Sequence, residues 1–393
     1  MNIRYAERTA DLNGTATREI FKLLSRPEII SFAGGLPASD LLPEKEVAEI
    51  TEALLSGKDA KRILQYGTSE GFADFRETLV GYVKQVGIDG IDTDNTLVIS
   101  GGQQGIDLMC KALLDKGDTV LVEQPTYLAV LQILKSYEAK AVGVNANADG
   151  LDTDDLEKKI IEHKPKMLYV VPTFSNPTGK TYSRANREKI AEITAKYGVI
   201  VLEDDPYGKL RFSGESVNSL KSFAAEDNTV YITSFSKLVS PGLRVGAAVG
   251  GKEIIRKLTV CKQGADLHTS NLSQLIVKRF VEEYLGETVK RSIPVYRKRR
   301  DAMTAALDRY MPFFDRTDPE GGLFVFGSLP VSLNAEKLLP KAIEHNVAYI
   351  QGSVFFADGG GENTVRLNYS NASAEQIEQG IRALGSLFAS YLT

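Results

Sequence analysis

The chain has 393 residues, of which 43% are hydrophobic and 25% are charged, and its formal net charge is -4 at pH 7. This length exceeds the usual size of a single hydrophobic core, so two domains are expected. Charges of both signs are interspersed, which gives no basic face for nucleic acid, and no apolar run is long enough to span a membrane. The polar N-terminus (1–13) has no signal-peptide core. We therefore expect a cytoplasmic protein without nucleic-acid or membrane partners.

The cysteines and histidines restrict the chemistry further. Cys110 and Cys261 are far apart in the sequence and have no metal-ligand spacing, so both are predicted to be free thiols. The three histidines form no HExxH motif or comparable cluster. The sequence therefore predicts no metal site and gives little support to a Ser-His-Asp hydrolase.

The N-terminal two thirds of the chain alternate between helices and apolar strands. An arm (1–27) with one short helix (17–24) precedes a short strand that ends at the paired glycines Gly34 and Gly35, and Pro43 opens the next helix. Alternating strands and helices predict a mostly parallel sheet that is covered on both faces. The predicted helices are 44–55, 72–86, 106–114, 128–136, 153–162 and 184–197, and the predicted strands are 97–100, 119–123, 141–144, 167–171, 199–202, 229–233 and 245–249.

Polar residues collect where these strands end. The glycine turn 101–105 follows the strand 97–100, and glycines before a helix expose N–H groups that could bind an anion. In parallel sheets ligands bind beyond the carboxyl ends of the strands, so a ligand site is predicted at this edge. The other residues at strand ends or in the loops just after them are Tyr127, Asn176, Asp204, Tyr207 and Lys237.

The pattern changes beyond residue 250. Helices 252–260, 272–284, 286–310, 335–344 and 374–391 are predicted, with short strands at 321–326, 347–350 and 364–369. Pro294 should kink the long helix. We predict that 1–43 form an arm and part of a small domain, that 44–284 form the large domain, and that 285–393 form a smaller α+β domain.

The stretch 234–246 places one lysine, one arginine and small hydroxyls between two predicted buried strands. Burial of Lys237 would lower the pKa of its amine and make it a usable nucleophile toward a carbonyl. Ser234, Ser236 and Arg244 could hold a phosphate. The alternative is a surface lysine whose charged end reaches solvent beside an ordinary turn.

A lysine that forms a Schiff base with a pyridine cofactor needs partners of defined kinds. Asp204 could keep a pyridine nitrogen protonated, while Tyr207 and Asn176 could hydrogen-bond a ring hydroxyl. Tyr127 could stack on the ring, and Arg366 could bind a substrate carboxylate through two hydrogen bonds. Each residue also has an ordinary structural explanation, such as a helix cap, a turn or a surface ion pair. The argument for a site rests on their occurring together in this order.

Eight motifs carry a family resemblance: SFAGGLP (31–37), QYG (65–67), SGGQQG (100–105), PTY (125–127), SNPTG (175–179), EDDPYG (203–208), SFSKLVSPGLRVG (234–246) and RLNYS (366–370). On these motifs, which span nearly the whole chain, the sequence resembles the fold-type I, pyridoxal-phosphate-dependent aminotransferases of class I/II. The subgroup is that of 2-aminoadipate and kynurenine aminotransferases and of the aminotransferase-like part of MocR regulators. The resemblance implies an α/β PLP-transferase fold, with a mostly parallel seven-stranded sheet in the large domain, a smaller α+β domain, and pyridoxal 5'-phosphate as cofactor.

The resemblance also implies roles for the site residues. Lys237 would be the Schiff-base lysine and proton shuttle. Asp204 would pair with the pyridinium nitrogen in preference to Asp205, because Tyr207 should lie three residues beyond that acid. Tyr207 and Asn176 would bond the ring hydroxyl. The residues that would stack on the ring or bind its phosphate are Tyr127, Gly102, Gln103, Ser234, Ser236 and Arg244. Gly102 stands where relatives often carry serine, so a backbone N–H must replace one hydroxyl.

Substrate and partner contacts are implied in the same way. Arg366 would hold the substrate α-carboxylate, with the Gly35 backbone and Asn176 beside it. Arg18, in the N-terminal arm, could line the pocket for the substrate side chain. Tyr66 would reach the phosphate of the neighbouring subunit, which implies a homodimer with shared active sites.

The expected function is transfer of an amino group from an L-amino acid (2-aminoadipate-like, aromatic or aliphatic) to a 2-oxo acid, with 2-oxoglutarate as the expected acceptor. One alternative is a lyase that uses the same cofactor. Another is a non-catalytic module that senses pyridoxal phosphate or amino acids. Regulators of that kind carry a DNA-binding domain ahead of this unit, whereas the aminotransferase-like pattern here starts within the first few dozen residues. The sequence therefore favours an enzyme.

Overall fold

The computed structural model describes residues 4–9, 26, 28–225 and 227–392. The predicted helix 17–24 and Arg18 lie outside the described residues. The strands, in chain order, are β1 (Ile30–Ser31), β2 (Thr96–Ile99), β3 (Thr119–Gln124), β4 (Lys140–Asn145), β5 (Met167–Val170), β6 (Ile200–Asp205), β7 (Thr229–Ser234), β8 (Gly246–Val249), β9 (Asp315–Arg316), β10 (Phe324–Ser328), β11 (Val347–Ala348), β12 (Ile350–Gln351) and β13 (Thr364–Asn368).

Helices cover the sheets and follow the predicted positions closely. They are α1 (Glu44–Ser56), α2 (Ala60–Ile63), α3 (Ala73–Lys84), α4 (Gly102–Leu113), α5 (Leu128–Ser136), α6 (Thr153–His163), α7 (Arg184–Tyr197), α8 (Lys252–Gln263), α9 (Asn271–Glu283), α10 (Leu285–Tyr310), α11 (Ala335–Glu344) and α12 (Ala374–Ala389). Pro294 lies inside α10. None of the helices in the described ranges has both the length and the apolar character that a membrane span needs.

A seven-stranded sheet forms the centre of the larger part of the chain, in the order β2-β8-β7-β6-β5-β3-β4. Strand β8 is antiparallel to both of its neighbours, and the remaining pairs are parallel. The inner strands are buried along nearly their whole length, which explains their continuous apolar sequences. The predicted mostly parallel, seven-stranded sheet is confirmed.

A second, antiparallel sheet has the order β12-β13-β10-β9, and β1 pairs with β11 in a separate parallel ribbon. The single strand predicted at 347–350 is therefore two short strands that belong to different sheets. Between them lies Tyr349, which is fully buried and donates a hydrogen bond from its hydroxyl to the Ala335 carbonyl (2.6 Å). The Tyr349 side chain thus fixes the backbone at the point where it passes from one sheet to the other. The domain boundaries at residues 43 and 284 stay a prediction.

Two element boundaries differ from the sequence prediction near the strand ends. Helix α4 begins at Gly102 rather than Ile106, because glycines let its first turn lie against β2. A Cβ on Gly105 would come within 2.8 Å of the Ile99 side chain. Strand β6 continues beyond Leu202 through three acidic residues, each of which accepts a hydrogen bond from a buried donor. Glu203 accepts backbone N–H groups of Leu220 and Lys221 (2.8 and 2.9 Å).

A buried arginine joins helix α7 to the loops around β6. Arg187 is 1% exposed, and its guanidinium donates to the carbonyls of Tyr182, Asn218 and Pro172 at 2.8–3.2 Å. Its charge faces Glu203 at 3.9 Å. Because the carbonyls of Tyr182 and Pro172 and the Thr173 hydroxyl, which accepts a further bond (2.9 Å), are buried, removal of the guanidinium would leave several buried polar groups unpaired.

We expect Arg187→Met to lower the free energy of unfolding by about 3 kcal/mol, the usual effect of breaking a buried charged network. The measurement is urea denaturation followed by circular dichroism. The control is Arg184→Met on the same helix, since Arg184 pairs with Glu188 in a largely exposed bridge and should change stability by less than about 1 kcal/mol. Equal effects of the two changes would contradict the structural role of Arg187.

Candidate active site

A cavity of about 420 Å³ lies at the carboxyl ends of β5, β6 and β7. It is enclosed by residues from strand ends, from the loops that follow them, and from β13 of the second sheet. Of the site residues predicted from the sequence that fall within the described ranges, all but Tyr66 line it: Gly35, Gly102, Gln103, Tyr127, Asn176, Asp204, Tyr207, Ser234, Ser236, Lys237, Arg244 and Arg366.

Lys237 ends a short 3-10 turn that follows β7. Its Nζ donates a hydrogen bond to the Gly35 carbonyl (2.6 Å). Burial, together with the positive charges of Arg244 and Arg366, lowers the pKa of Lys237 to about 8. A substantial fraction of this amine is therefore uncharged near neutral pH, as a nucleophile toward a carbonyl requires.

Asp204 projects from β6 into the cavity and is 5% exposed. Its Oδ2 accepts a hydrogen bond from the Tyr169 hydroxyl (2.8 Å), whereas Oδ1 has no partner among the described residues. Burial raises the pKa of Asp204 to about 7. The neighbouring Asp205 differs, because its two oxygens accept the Gly208 N–H and the Tyr231 hydroxyl (2.8 and 3.0 Å). Asp204 is thus the acid with an oxygen free to bind a cationic ligand atom.

Arg366 is a buried arginine, 5% exposed, that reaches the cavity from β13. Nη1 donates to Asn176 Oδ1 (2.9 Å) and Nη2 donates to the Ala33 carbonyl (2.6 Å). The guanidinium carbon lies 4.5 Å from the ring centroid of Phe324 and 5.2 Å from that of Phe355. Burial lowers the pKa of Arg366 to about 10. No carboxylate neutralises it within the described residues, so it can accept a ligand carboxylate.

One group of cavity residues, here called the phosphate cup, offers hydrogen-bond donors that suit an anion: Gly102, Gln103, Ser234, Ser236 and Arg244. The Ser234 and Ser236 hydroxyl oxygens are 3.0 Å apart, and Arg244 Nη1 donates to Ser236 Oγ (3.4 Å). The N-terminus of α4 supplies backbone N–H groups beside them. Only glycine fits just before this helix, because a Cβ on Gly101 would lie 2.5 Å from Arg244 Nη2 and the backbone φ there is +84°. The phosphate cup therefore brings hydroxyls, N–H groups and one cation together on one part of the cavity.

Two tyrosines, Tyr127 and Tyr207, also line the cavity. Burial, followed by the charge of Asp204, raises the pKa of Tyr127. Burial also holds the pKa of Tyr207 above its usual range. The Tyr207 ring packs edge-to-face on Phe324, with centroids 5.9 Å apart. Both phenols therefore stay protonated at neutral pH and can donate hydrogen bonds or offer a ring face.

Tyr66 does not line this cavity. Its side chain is 79% exposed and its ring lies edge-on to His268, with centroids 6.1 Å apart. The sequence reasoning also missed Tyr169, Gln132 and Phe355, which line the cavity. A signal was available for Tyr169, which occupies the carboxyl-terminal half of β5, the strand that pairs with β6.

These residues fit the pyridoxal phosphate that the resemblance implies. The unpartnered Asp204 oxygen suits a protonated ring nitrogen, and the Lys237 amine suits the aldehyde. The phosphate cup supplies the donors that a phosphate requires. The set contains one acid, one amine and one anion site, each of the type that this cofactor needs.

The comparisons with known proteins agree with the geometry. The family model for aminotransferases of class I and II matches residues 28–384. The 2-aminoadipate transaminase of Thermus thermophilus is 40% identical over 95% of this chain and 94% of its own. The aromatic-amino-acid aminotransferase 1 of Thermococcus litoralis is 38% identical over 97% of this chain and 93% of its own.

A solved structure extends the likeness to three dimensions. Kynurenine aminotransferase from Pyrococcus horikoshii, in complex with PMP, has a TM-score of 0.94 and 36% identity over 99% of this chain and 98% of its own. Its cofactor belongs to the pyridoxal phosphate group, as the cavity chemistry requires. On a family match and relatives of this extent, the chain belongs to the class I and II aminotransferases and is a pyridoxal-phosphate-dependent transaminase.

Proposed function

We propose that this transaminase moves the amino group of an L-amino acid with a 2-aminoadipate-like, aromatic or aliphatic side chain to 2-oxoglutarate, by a ping-pong mechanism. The observation that carries the proposal is that Lys237, Asp204 and Arg366 face one cavity. An amine, an acid and a cation for a carboxylate are the three groups that half-transamination of an amino acid needs.

Bound pyridoxal phosphate supplies an aldehyde that receives the amine and a ring that withdraws electrons from the substrate. Lys237 provides the amine that holds the cofactor. With the substrate amine on the cofactor in its place, Lys237 Nζ would be free to take the proton from the substrate Cα. Asp204 Oδ1 keeps the ring nitrogen protonated, and the Tyr169 hydroxyl fixes the other carboxylate oxygen.

Arg366 binds and orients the substrate through its α-carboxylate. The Asn176 amide oxygen and the Ala33 carbonyl fix the guanidinium plane, so little side-chain entropy is lost when the carboxylate binds. Asn176 and Tyr207 are positioned to bond the ring hydroxyl, and Tyr127 to stack on the ring. We propose that Gly35 lines the carboxylate subsite.

The substrate side chain would meet Leu36, Leu128 and Phe355, which make one wall of the cavity apolar. This wall suits aromatic and aliphatic donors, and the names of the two relatives in sequence point to aromatic and 2-aminoadipate substrates. Arg18, which lies outside the described residues, is proposed for a distal carboxylate. Tyr66 is proposed to complete the phosphate site of a second copy in a homodimer. The cytoplasmic location stays a prediction.

We expect Lys237→Ala to lose the visible absorbance band of the lysine-bound cofactor and at least about 1000-fold in transamination rate, because both the covalent link and the proton carrier are removed. Lys135→Ala, an exposed lysine on α5, is the matched control. The measurement is the spectrum before and after glutamate or 2-aminoadipate, followed by reversal with 2-oxoglutarate. In the parent protein, a band that shifts when the amino acid is added but does not convert to the pyridoxamine form would refute transamination.

The rate of cofactor uptake by cofactor-free protein should rise with pH through a midpoint near 8 and then level off. Only the uncharged amine attacks the aldehyde, and Lys237 is uncharged above its pKa of about 8. Arg366→Met should move the midpoint to higher pH because one repelling positive charge is lost. The uptake rate of both proteins is measured at each pH by stopped-flow absorbance with pyridoxal. A midpoint near that of an ordinary lysine in the parent protein would contradict the assignment of Lys237.

Arg366→Met should raise KM for amino-acid donors about 100-fold, since charged hydrogen bonds to the carboxylate are lost. An amine with the same side chain but no α-carboxylate provides the internal control. Its rate should change little between the parent and the variant. Equal losses for the amine and the amino acid would mean that Arg366 only supports the fold.

A further inference from the structure

A lysine outside the cavity lies directly behind the phosphate cup. Lys262, on α8, has a side chain that is 0% exposed. Its Nζ donates to both Asp266 carboxylate oxygens (2.7 and 2.8 Å) and to Gln104 Oε1 (2.8 Å). A fully buried ammonium is rare in proteins unless it is paired. Here its two partners, Asp266 and Gln104, also bind Ser100 in the turn between β2 and α4.

That turn joins β2 to α4 and carries the N–H groups of the cup. Asp266 Oδ2 accepts the Ser100 hydroxyl (2.7 Å) and the Gln104 side-chain amide (2.8 Å). Gln104 Oε1 accepts the Ser100 backbone N–H (2.7 Å). The Ser100 carbonyl in turn accepts Arg244 Nη2 (3.3 Å). Asp266 is therefore connected by hydrogen bonds both to the start of α4 and to the arginine of the cup.

The position of Asp266 creates an electrostatic problem that Lys262 solves. A carboxylate hydrogen-bonded to the turn would oppose a dianionic phosphate on the other side of it. The ammonium of Lys262 contacts both carboxylate oxygens and cancels that charge, while the oxygens remain available as acceptors. The pair thus fixes the turn without repelling the phosphate.

We propose that Lys262 and Asp266 are positioning residues for the phosphate cup, with Asp266 tying the β2–α4 turn in place and Lys262 neutralising it. The inference rests on the proposed function, in which the cup binds the cofactor phosphate. Neither residue lines the cavity.

The test compares the affinity of the full-length, cofactor-free chain for pyridoxal phosphate and for pyridoxal, which lacks the phosphate. Lys262→Met should weaken pyridoxal phosphate binding on the order of tenfold, the size of coupling that hydrogen-bonded neighbours show. It should leave pyridoxal binding nearly unchanged. Lys257→Met, an exposed lysine on the same helix, is the control and should alter neither affinity.

Asp266→Asn should not lower the affinity for pyridoxal phosphate as Lys262→Met does, and it keeps the test valid if Lys262→Met does not fold. It retains an oxygen for Ser100 and Gln104 but leaves the Lys262 charge uncancelled, so pyridoxal phosphate should bind at least as tightly as to the parent. Weaker binding in this variant would overturn the proposal, as would equal losses for pyridoxal and pyridoxal phosphate in Lys262→Met.

Arg244→Met in the same titration separates this inference from the function on which it rests. If Arg244→Met weakens pyridoxal phosphate and Lys262→Met does not, the inference alone is wrong. If Arg244→Met also has no effect, the cup is not the phosphate site, and both the site assignment and the inference fail.

Discussion

The cavity depends on the carboxylate of Asp204, which is buried at the end of a central strand. Residues 203–205 are all acidic, and because strand side chains alternate, Asp204 faces the cavity while its two neighbours face the opposite side of the sheet. Those neighbours are satisfied by fixed donors, such as the Gly208 N–H that binds Asp205. Asp204 keeps one oxygen unpartnered within the described chain, which costs folding free energy. A cationic ring atom would offset that cost, and cofactor binding would then also stabilise the strand end.

The positive groups around the cavity complement this acid. Lys237, Arg244 and Arg366 all line it, and the two arginines lower the pKa of the lysine. Arg366 comes from β13 of the second sheet, yet it bonds to Asn176 in a loop of the first part of the chain. The substrate carboxylate would therefore bind where the two sheets meet, and its site exists only when both are packed together.

The sequence predicted the alternating part of the fold well, since buried parallel strands carry continuous apolar runs. It also predicted most residues of the cavity, because each of them belongs to one of the family motifs. Its errors have physical causes. Gly102 to Gly105 read as a turn because glycine has low helix propensity, but close packing on Ile99 requires glycine within the helix. Tyr169 was missed because its partner Asp204 is distant in sequence. Lys262 was missed because only the folded chain brings it beside Gln104 at the start of α4.

The loop between α8 and α9 has contacts on both of its sides. Asp266 binds the turn behind the phosphate cup, and two residues further on His268 packs against the exposed ring of Tyr66. Asn271, at the start of α9, also donates a hydrogen bond to the Gln65 carbonyl (2.6 Å). In the homodimer that we propose, the same short segment supports a subunit's own cup and the tyrosine that it offers to its neighbour. Cofactor retention and subunit association are then thermodynamically linked, so dilution of the protein releases cofactor and added cofactor holds the subunits together.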